Sequence, residues 1–385
     1  MKTRYRFRFY PTEIQKKELS NVFGACRYVY NWALNIRNQA WKKDKINIGY
    51  SKTSLMLTNL KREENTKWLS EISCVPTQQS LRHLQKAFLN FWSNSGKYPS
   101  FKKKKNKQSA EYTYNAFKLN KLNNELVVSG LGKLNIVWSR EFKSYPKTIT
   151  ITKEPSEKYY VTLCLDEDFK KLPKTKKNIG IDFGVSRLAT LSDGTRISNP
   201  KYFKNNLKKL SIIQRGLSRK KIGSERWSKS RIRVARLHEH IKNCRLDTLH
   251  KFTTNLVKKF DTISVEDLSL NSMLKNRNLS MAISDVGIGV AIQMLNYKCN
   301  WYGKKLKKIN RYFPSSKMCS VCGYVIDSLP LTIREWDCPK CKSHHDRDEN
   351  AAKNINVAEG CSVKARGDNI NRLRASAPRR NIYEA

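Results

Sequence analysis

The chain has 385 residues, 39% of them hydrophobic, which is enough for two or three folded domains with sizeable cores. Its 76 lysines and arginines face 32 aspartates and glutamates, so the formal net charge is +44. Such an excess favours a polyanionic partner, nucleic acid before an anionic membrane surface, over a merely solvated basic surface. Because we find no apolar run of about 18 residues and no signal-peptide core, we expect no membrane span and a cytoplasmic protein.

The N-terminal residues RYRFRFYPT alternate basic and aromatic side chains, as a half-buried strand does. Pro11 ends the strand, and Thr12 with Gln15 predicts a capping box at the start of a helix. From there to about residue 95, apolar residues recur at three- and four-residue steps, which predicts helices. Arg27 and Asn31 lie one turn apart on the first of these helices, so a DNA contact and a helix-packing role fit them equally.

A run of lysines follows the helices. Residues 102–107 contain five lysines, and they adjoin Tyr98 and Phe101. Runs of like charge are most often solvated, but in so basic a chain a phosphate-contact loop fits this run equally well. The candidate nucleic-acid contacts are Lys102, Lys103, Lys104 and Lys105.

Residues 110–166 contain five segments in which aromatic and β-branched residues alternate, with turn residues between them. This pattern predicts a sheet or small barrel, which the N-terminal strand is a candidate to complete. The lysine-rich segment FKKLPKTKKN, residues 169–178, contains a proline. Its composition predicts a linker, so we expect a domain boundary there.

The second half opens with a strand at 179–184 and a second strand that turns at an Asp-Gly pair, a hairpin signal. Residues 203–260 are basic and have a helical pattern, and they run into the apolar strand TISVEDLSL. A helix over about 285–302, a strand at 304–310 and a short helix in DENAAKNINVAEG follow. We therefore expect a multidomain fold with α/β and α+β parts.

Three acidic residues stand out in these elements. Asp182 lies inside the first strand, Glu266 lies on the later apolar strand, and an aspartate of HHDRDENAAKN opens the last helix. A buried acid needs a cation, and carboxylates that bridge two divalent cations serve phosphodiester cleavage. Mg²⁺ suits such a site because it prefers oxygen ligands. A strand with Asp, a hairpin, helices, a strand with Glu and a helix with Asp is the order of ribonuclease-H-like RuvC nucleases.

Asp346 and Asp348 compete for the third position. Asp348 lies in the first helical turn, where it meets the helix dipole and can point to the sheet. Asp346 precedes the helix and is expected to cap it. The predicted catalytic, magnesium-binding acids are therefore Asp182, Glu266 and Asp348.

Four cysteines form two CxxC pairs separated by fifteen residues. This is zinc-ribbon spacing, in which each pair offers two thiolates to one tetrahedral Zn²⁺. Because cysteine fills all four positions, we expect the zinc to be structural rather than catalytic. The predicted ligands are Cys319, Cys322, Cys338 and Cys341. We expect His344 and His345, which follow closely, to be loop residues rather than ligands.

Five stretches of the chain together resemble the TnpB (OrfB-type) proteins of insertion sequences. They are GACRYVYNWAL near the start and, in the second half, GIDFGVSRLATLSDG, ISVEDLSL, PSSKMCSVCG and CPKCKSHHDRDENAAKNI. The resemblance covers nearly the whole chain except the part beyond about residue 362, and the C-terminal motifs are the specific ones. Proteins of this family are transposon-encoded, RNA-guided DNA endonucleases, similar to miniature type V CRISPR effectors and long described as transposases.

The resemblance implies a guide RNA derived from the end of the mobile element and a double-stranded DNA target beside a short flanking motif. It also implies that an RNA–DNA heteroduplex lies in a basic channel of the protein, which contacts the phosphate backbone of the heteroduplex. Two other functions stay open. One is a nuclease-inactive, RNA-guided DNA-binding repressor, which the intact acids disfavour, and the other is a DNA strand-transfer transposase.

The resemblance and the predicted elements together give an expected domain organisation. A wedge-like β-barrel with a helical recognition insert precedes a RuvC-like nuclease domain that contains the zinc ribbon. The expected bounds are 1–12 and 106–170 for the barrel, 13–105 for the insert, 177–314 and 346–360 for the nuclease domain, and 315–345 for the ribbon. The basic tail, residues 361–385, is expected to be disordered.

Overall fold

The computed structural model describes three stretches of the chain: residues 1–121, 123–330 and 332–358. The tail that the sequence predicts to be disordered, 361–385, lies outside the described residues. The chain divides into two units. Unit 1 comprises Met1–Asp168 with Leu210–Glu239, and unit 2 comprises Phe169–Lys209 with the described residues from His240 onward. Both contain helices and sheets, so the fold is a mixed α/β fold.

The main helices and strands follow the order that the sequence patterns predict, and α6, α7 and the hairpin β14–β15 are additional elements that the patterns did not predict. The helices are α1 (Glu13–Asp44), α2 (Tyr50–Leu60), α3 (Cys74–Trp92), α4 (Tyr202–Ser218), α5 (Glu225–Lys259), α6 (Leu270–Met273), α7 (Arg277–Val286), α8 (Ile288–Tyr302) and α9 (Arg347–Val357). The strands are β1 (Lys2–Phe9), β2 (Gln108–Thr113), β3 (Phe117–Asn120), β4 (Glu125–Val128), β5 (Gly132–Lys133), β6 (Ile136–Val137), β7 (Thr148–Lys153), β8 (Tyr159–Asp166), β9 (Asn178–Phe183), β10 (Arg187–Leu191), β11 (Arg196–Ser198), β12 (Thr262–Glu266), β13 (Lys305–Ile309), β14 (Glu335–Asp337) and β15 (His344–Asp346).

Unit 1 is built on a five-stranded sheet with the order β2-β7-β8-β1-β6. Strand β1 pairs antiparallel with β8 and β6, so the prediction that the N-terminal strand completes this sheet is confirmed. Its alternating sequence buries Phe7 and Phe9 on one face and leaves Arg4 and Arg6 exposed on the other. A smaller sheet, β3-β4-β5, contributes residues to the same hydrophobic core.

The helices of unit 1 begin with the predicted capping box. The backbone N–H of Gln15 donates to Thr12 Oγ1 (3.2 Å), and the backbone N–H of Thr12 donates to Gln15 Oε1 (3.1 Å). Helix α1 then runs for 32 residues and packs its apolar stripe against α3. The second core of the unit lies at this contact and includes Val29, Leu34, Leu81, Leu84 and Phe88.

Unit 2 contains a five-stranded sheet with the order β11-β10-β9-β12-β13. Strands β9, β12 and β13 run parallel, whereas the hairpin β10–β11 adds antiparallel strands at the other edge. Ile179, Ile181 and Phe183 point from β9 into a core shared with α5 and α8. Since side chains alternate along a strand, Gly180 and Asp182 point to the other face of β9. Helix α9 contacts β9, β10 and β12.

One segment of unit 2, Arg277–Tyr302, is long and apolar enough to span a membrane by length and composition. It contains the helix predicted over about 285–302, in which the sequence patterns gave no apolar run of membrane-spanning length. The segment is two helices, α7 and α8, separated at Gly287, whose φ of 75° ends the first helix. Helix α8 contributes Ala291, Leu295 and Cys299 to the core of the unit. These contacts are those of a core helix of a folded domain.

Candidate active site and cysteine cluster

Two of the predicted acids lie side by side at one edge of the unit 2 sheet. Strands β9 and β12 are parallel, and their register pairs Ile181 with Val265. Asp182 and Glu266 are the next residues on each strand, so both point to the same face near the carboxyl ends of the strands. Both side chains are half-buried. The sheet topology therefore brings together two carboxylates that are far apart in the sequence.

Helix α9 brings Asp348 to the same face of the sheet. A Cβ atom at Gly180 would lie 2.1 Å from the Ala352 carbonyl oxygen and 2.6 Å from the Asn356 nitrogen, so only glycine permits this approach. Ala351, Ala352 and Ile355 of α9 are buried. The small side chains on both elements let the helix lie directly against the strand that carries Asp182.

The two aspartates at the start of α9 have different roles. Asp346 is the N-cap, and its Oδ1 accepts hydrogen bonds from the backbone N–H groups of Asp348 and Glu349, each 3.0 Å long. The predicted cap is therefore confirmed. Asp348 lies in the first helical turn, half-buried. Its carboxylate is thus available for a role other than capping.

The three acids share one electrostatic environment. Burial, followed by the negative charges of Glu266 and Asp348, raises the pKa of Asp182 from 3.8 to about 8. The guanidinium groups of Arg347 and Arg334 lower this pKa in part. Like charges held close together in a low-dielectric site favour a bound proton or a bound cation. The site therefore has the electrostatics of a cation-binding site.

Arginines that the sequence analysis did not identify pair with these aspartates. Arg334 Nη1 lies 3.2 Å from Asp348 Oδ1, and Arg187 Nη1 lies 3.8 Å from Asp346 Oδ2 and 3.9 Å from Asp348 Oδ2. Arg196 Nη2 lies 2.9 Å from Asp346 Oδ2. Sequence offers no signal for them, because each is one of 76 basic residues.

Glu266 has a neutral partner. The hydroxyl of Ser315, which is only 6% exposed, donates a hydrogen bond to Glu266 Oε1. Ser315 lies between β13 and the first cysteine pair. This contact links the carboxylate on β12 to the segment that leads into the cysteine cluster.

The four predicted cysteine ligands converge. Their sulfur atoms all lie within 4.8 Å of one another, and the sulfur atoms of Cys319 and Cys341 are 3.6 Å apart. Four sulfurs around a tetrahedral Zn²⁺, each at about 2.3 Å, lie about 3.8 Å apart, so the donor set and spacing fit zinc. Ser343 lowers the pKa of Cys341 to about 6, whereas burial raises that of Cys319 to about 12. A bound cation favours the thiolate at both positions.

The histidines beside the cluster differ from expectation. His344 and His345 lie on β15, not in a loop, because β14 and β15 form a short antiparallel hairpin. His345 pairs with Trp336 across the hairpin and is buried. Its Nε2 lies 3.0 Å from Cys319 Sγ, so the imidazole contacts a predicted zinc ligand.

The carboxylates are held less closely than the cysteines. Among the described residues, the four cysteines are the group of Cys, His, Asp and Glu ligands close enough together to share one metal ion. The three acids do not reach that proximity.

In unit 1, the predicted nucleic-acid residues of α1 make contacts within the protein. Arg27 Nη1 donates to Gln108 Oε1 (2.9 Å). Asn31 Nδ2 donates to the Lys102 carbonyl oxygen (3.0 Å), and the Lys102 N–H donates to Asn31 Oδ1 (2.8 Å). Both side chains therefore contact residues of strand β2 and of the lysine loop rather than another helix. Their contact with DNA stays a prediction.

The lysine run is anchored at one end and exposed at the other. Lys102 is half-buried, with its Nζ 4.0 Å from the centre of the Tyr30 ring, and burial lowers its pKa. Gln108 Nε2 holds the loop by donating to the Lys103 and Lys104 carbonyl oxygens (3.1 and 3.2 Å). Lys103, Lys104 and Lys105 are exposed, and so is Lys107, whose Nζ lies 3.7 Å from Glu154 Oε1.

Models of known families match three parts of the chain. A model described as "Probable transposase", of the OrfB type of IS605, matches residues 152–277. A model of the Cas12f1-like TNB domain matches residues 289–355, which include the four cysteines. A model described as "Helix-turn-helix domain" matches residues 1–45. In this chain, residues 1–45 form strand β1 and the single helix α1.

The chain is also similar to named proteins. A "Putative RNA-guided DNA endonuclease" from Streptomyces pristinaespiralis is 43% identical over 381 residues, which covers 98% of this chain and 94% of that protein. InsQ from Escherichia coli (strain K12), with the same description, is 31% identical and covers 95% of this chain and 94% of its own length. The Cas12f1 chain in a cryo-EM structure of a Cas12f1–sgRNA–target DNA complex has a TM-score of 0.56 at 13% identity, with 92% and 98% of the chains covered. This last likeness concerns the fold alone.

Proposed function

The chain belongs to the TnpB (OrfB-type) family, and from that premise we propose that it is a transposon-encoded, RNA-guided DNA endonuclease. The observation that carries the proposal is the meeting of three carboxylates on one face of the unit 2 sheet. Asp182, Glu266 and Asp348 come from two parallel strands and one helix, and burial, followed by the charges of the other two acids, raises the pKa of Asp182. Such a group is expected where an enzyme binds divalent cations.

We assign the nuclease site to a RuvC-like, ribonuclease-H-like domain. The sheet order β11-β10-β9-β12-β13, with parallel β9, β12 and β13, supports this assignment. The acid-bearing helix α9, which packs against β9, supports it as well. In unit 1, we assign the sheet that β1 joins to the wedge-like β-barrel and the helices α1–α3 to its helical recognition insert; the strand–helices–strands order supports this assignment.

In this proposal, Asp182, Glu266 and Asp348 hold Mg²⁺. The metal supplies charge neutralisation at the attacking and leaving oxygens of the phosphodiester, in the manner of a two-metal site. The chain itself orients the carboxylates, because Gly180 lets α9 lie against β9 and Ser315 holds one oxygen of Glu266. Arg334 and Arg187 pair with Asp348, and their guanidinium groups are also donors that a phosphate backbone beside the site could contact.

The four cysteines are proposed to hold one structural Zn²⁺. All positions of a tetrahedral site are then filled by thiolates, which leaves no open position for substrate. The zinc would fix the hairpin β14–β15, which leads into α9. Its role is therefore to stabilise the segment that carries Asp348, not to take part in the reaction.

The proposed partners are a guide RNA derived from the mobile element and double-stranded target DNA with a short flanking motif. The net charge of +44 supports a large phosphate-contact surface. The exposed Lys103, Lys104 and Lys105 are part of that surface in the proposal. A protein that acts on the DNA and RNA of its own cell works inside the cell.

One assay separates this function from its alternatives. The purified protein with its bound RNA is mixed with Mg²⁺ and a plasmid that carries the matching target. Linear or nicked plasmid supports the endonuclease, whereas binding without cleavage supports a nuclease-inactive repressor, and joined DNA products support a strand-transfer transposase. Sequencing the RNA that co-purifies with the protein identifies the guide, and a preparation without a defined RNA would contradict guidance by RNA.

A further inference from the structure

The segment 315–320 connects the two ligand groups of unit 2. At its start, the hydroxyl of Ser315 donates to Glu266 Oε1, and near its end Cys319 belongs to the cysteine cluster. The five residues from Ser315 to Cys319 therefore connect the hydrogen-bond partner of a candidate magnesium ligand, Glu266, to a candidate zinc ligand. We call residues 315–320 the clasp segment.

Two asparagines of α9 hold the backbone of the clasp segment. Asn354 Nδ2 donates to the Ser315 and Met318 carbonyl oxygens (2.8 and 2.5 Å). Asn350 Nδ2 donates to the Met318 carbonyl oxygen (2.7 Å), and its Oδ1 accepts from the Ser320 N–H (2.9 Å). Because the two asparagines are four residues apart, they lie on one face of the helix.

The side-chain amides of Asn350 and Asn354 are buried and hydrogen-bonded to the clasp segment. Asn350 and Asn354 are each 2% exposed, and a buried amide that loses its hydrogen-bond partners is destabilising. Asn350 is also two residues after Asp348 on the same helix. The clasp segment is thus bonded to Glu266 on one side and to the helix of Asp348 on the other.

From these contacts we propose that Ser315, Asn350 and Asn354 are positioning residues that make the spacing of Glu266 and Asp348 depend on the cysteine cluster. Metal held by Cys319 fixes one end of the clasp segment, and the hydrogen bonds carry that position to both carboxylates. This inference rests on the proposed function, since it takes Glu266 and Asp348 as magnesium ligands. It adds that the zinc site sets the affinity of the carboxylates for divalent cations.

The test measures Mn²⁺ binding by the full-length protein, because Mn²⁺ replaces Mg²⁺ and is detected by electron paramagnetic resonance. Ser315→Ala removes the hydroxyl and should weaken Mn²⁺ binding about ten-fold, as loss of a hydrogen bond to a metal ligand does. Ser315→Thr keeps the hydroxyl and should restore affinity. Ser316→Ala is the matched control, because among the described residues Ser316 is not hydrogen-bonded to Glu266. Zinc content should stay near one per chain in all three variants.

A second measurement tests the link to the cysteine cluster. Zinc removal should weaken Mn²⁺ binding of the parent protein, and it should have a smaller effect in Ser315→Ala, where the link to Glu266 is already lost. Asn350→Asp keeps the acceptor for Ser320 but not the donor to Met318, and it should also weaken Mn²⁺ binding. Unchanged Mn²⁺ affinity in both Ser315→Ala and Asn350→Asp, or equal effects of zinc removal in parent and Ser315→Ala, would overturn the inference alone. Parental Mn²⁺ binding that Asp182→Asn leaves intact would overturn the proposed function itself.

Discussion

The four cysteines come from one stretch between residues 319 and 341, whereas the three carboxylates come from residues 182, 266 and 348. Each CxxC pair closes its own turn: the Gly323 N–H donates to the Cys319 carbonyl oxygen and the Lys342 N–H to the Cys338 carbonyl oxygen, both at 2.9 Å. The cysteine cluster is therefore assembled by local turns. The carboxylates are assembled only when two strands pair in parallel and α9 packs on them.

The difference has an energetic consequence. Thiols are neutral when protonated, so four of them can lie within 4.8 Å of one another without charge repulsion. The carboxylates repel one another when they are ionised. Burial and this repulsion raise the pKa of Asp182, and Arg334 and Arg187 pair with Asp348. The first site can fix structure, whereas the second stores unfavourable electrostatics that a divalent cation relieves.

The comparison predicts that the carboxylates matter for the reaction and little for the fold. Asp182→Ala should reduce cleavage by about a thousand-fold or more, since several kcal/mol of transition-state stabilisation by the metal are lost. Glu266→Gln should do the same, because it keeps the shape and removes the charge. Guide and target binding should stay near the parental level. Single-turnover cleavage and gel-shift assays measure the two quantities.

The matched control is Asp193→Asn, which changes an exposed aspartate of the β10–β11 turn on the same sheet. It should cleave like the parent protein. Comparable cleavage by Asp182→Ala and Asp193→Asn would sink the assignment of Asp182.

For the cysteine cluster the comparison predicts the opposite: a substitution should lower stability directly and reduce cleavage as a consequence. Cys338→Ser should remove the bound zinc, lower the unfolding temperature, and reduce cleavage by about ten-fold or more through displacement of α9. Elemental analysis should find about one zinc per parent chain. Cys74→Ser, at an exposed cysteine outside the cluster, is the control. A zinc-free protein that is fully folded and active would refute a structural metal.

This contrast also explains what the sequence could predict. The CxxC spacing predicts the cysteine cluster directly, because the turns that assemble it are local. The sequence identifies Asp182 and Glu266 as acids on apolar strands. Their adjacency depends on the register between β9 and β12, which no local pattern contains. Ser315 and Arg334 could not be identified, because a serine in a loop and one arginine among 76 basic residues carry no signal of their partners.

The lysine run extends the comparison between local and assembled sites, because neighbouring lysines in it differ in their surroundings. Lys102 is half-buried against Tyr30, whereas Lys103, Lys104 and Lys105 are exposed. Replacing the three exposed lysines with alanine should flatten the salt dependence of nucleic-acid binding by up to about three units, at roughly 0.9 per phosphate contact. The flanking-motif preference should not change, since lysines to phosphate do not read bases.

Lys102→Ala is the internal control for this loop. It should lower stability by loss of packing and leave the salt slope nearly unchanged, since the ammonium faces the Tyr30 ring. Dissociation constants at several salt concentrations give the slopes. Superimposable slopes for the triple variant and the parent would mean that the exposed lysines are only solvated.

The electrostatics of the carboxylate site predict how stability without Mg²⁺ changes with pH. The pKa of Asp182 is about 8 in the folded protein and near 3.9 in an unfolded chain. Between these values the folded state binds the proton and the unfolded state does not, so stability without Mg²⁺ should fall as the pH rises from about 4 to 8. The slope from this one group is at most about 1.4 kcal/mol per pH unit. Asp182→Asn should flatten the slope, and it should stabilise the Mg²⁺-free protein at pH 8 while abolishing cleavage.

Mg²⁺ provides the decisive comparison, because a cation and a proton compete for the same carboxylate. Added Mg²⁺ should raise the unfolding temperature of the parent at pH 8 more than at pH 5, and it should have little effect on Asp182→Asn. The buffers must be free of strong chelators, which would also remove zinc from the cysteines. Thermal unfolding over this pH range measures the effect. A pH dependence of stability that is the same in the parent and in Asp182→Asn would show that repulsion among the three carboxylates does not destabilise the fold. The carboxylate site and the cysteine cluster would then differ only in how the chain assembles them.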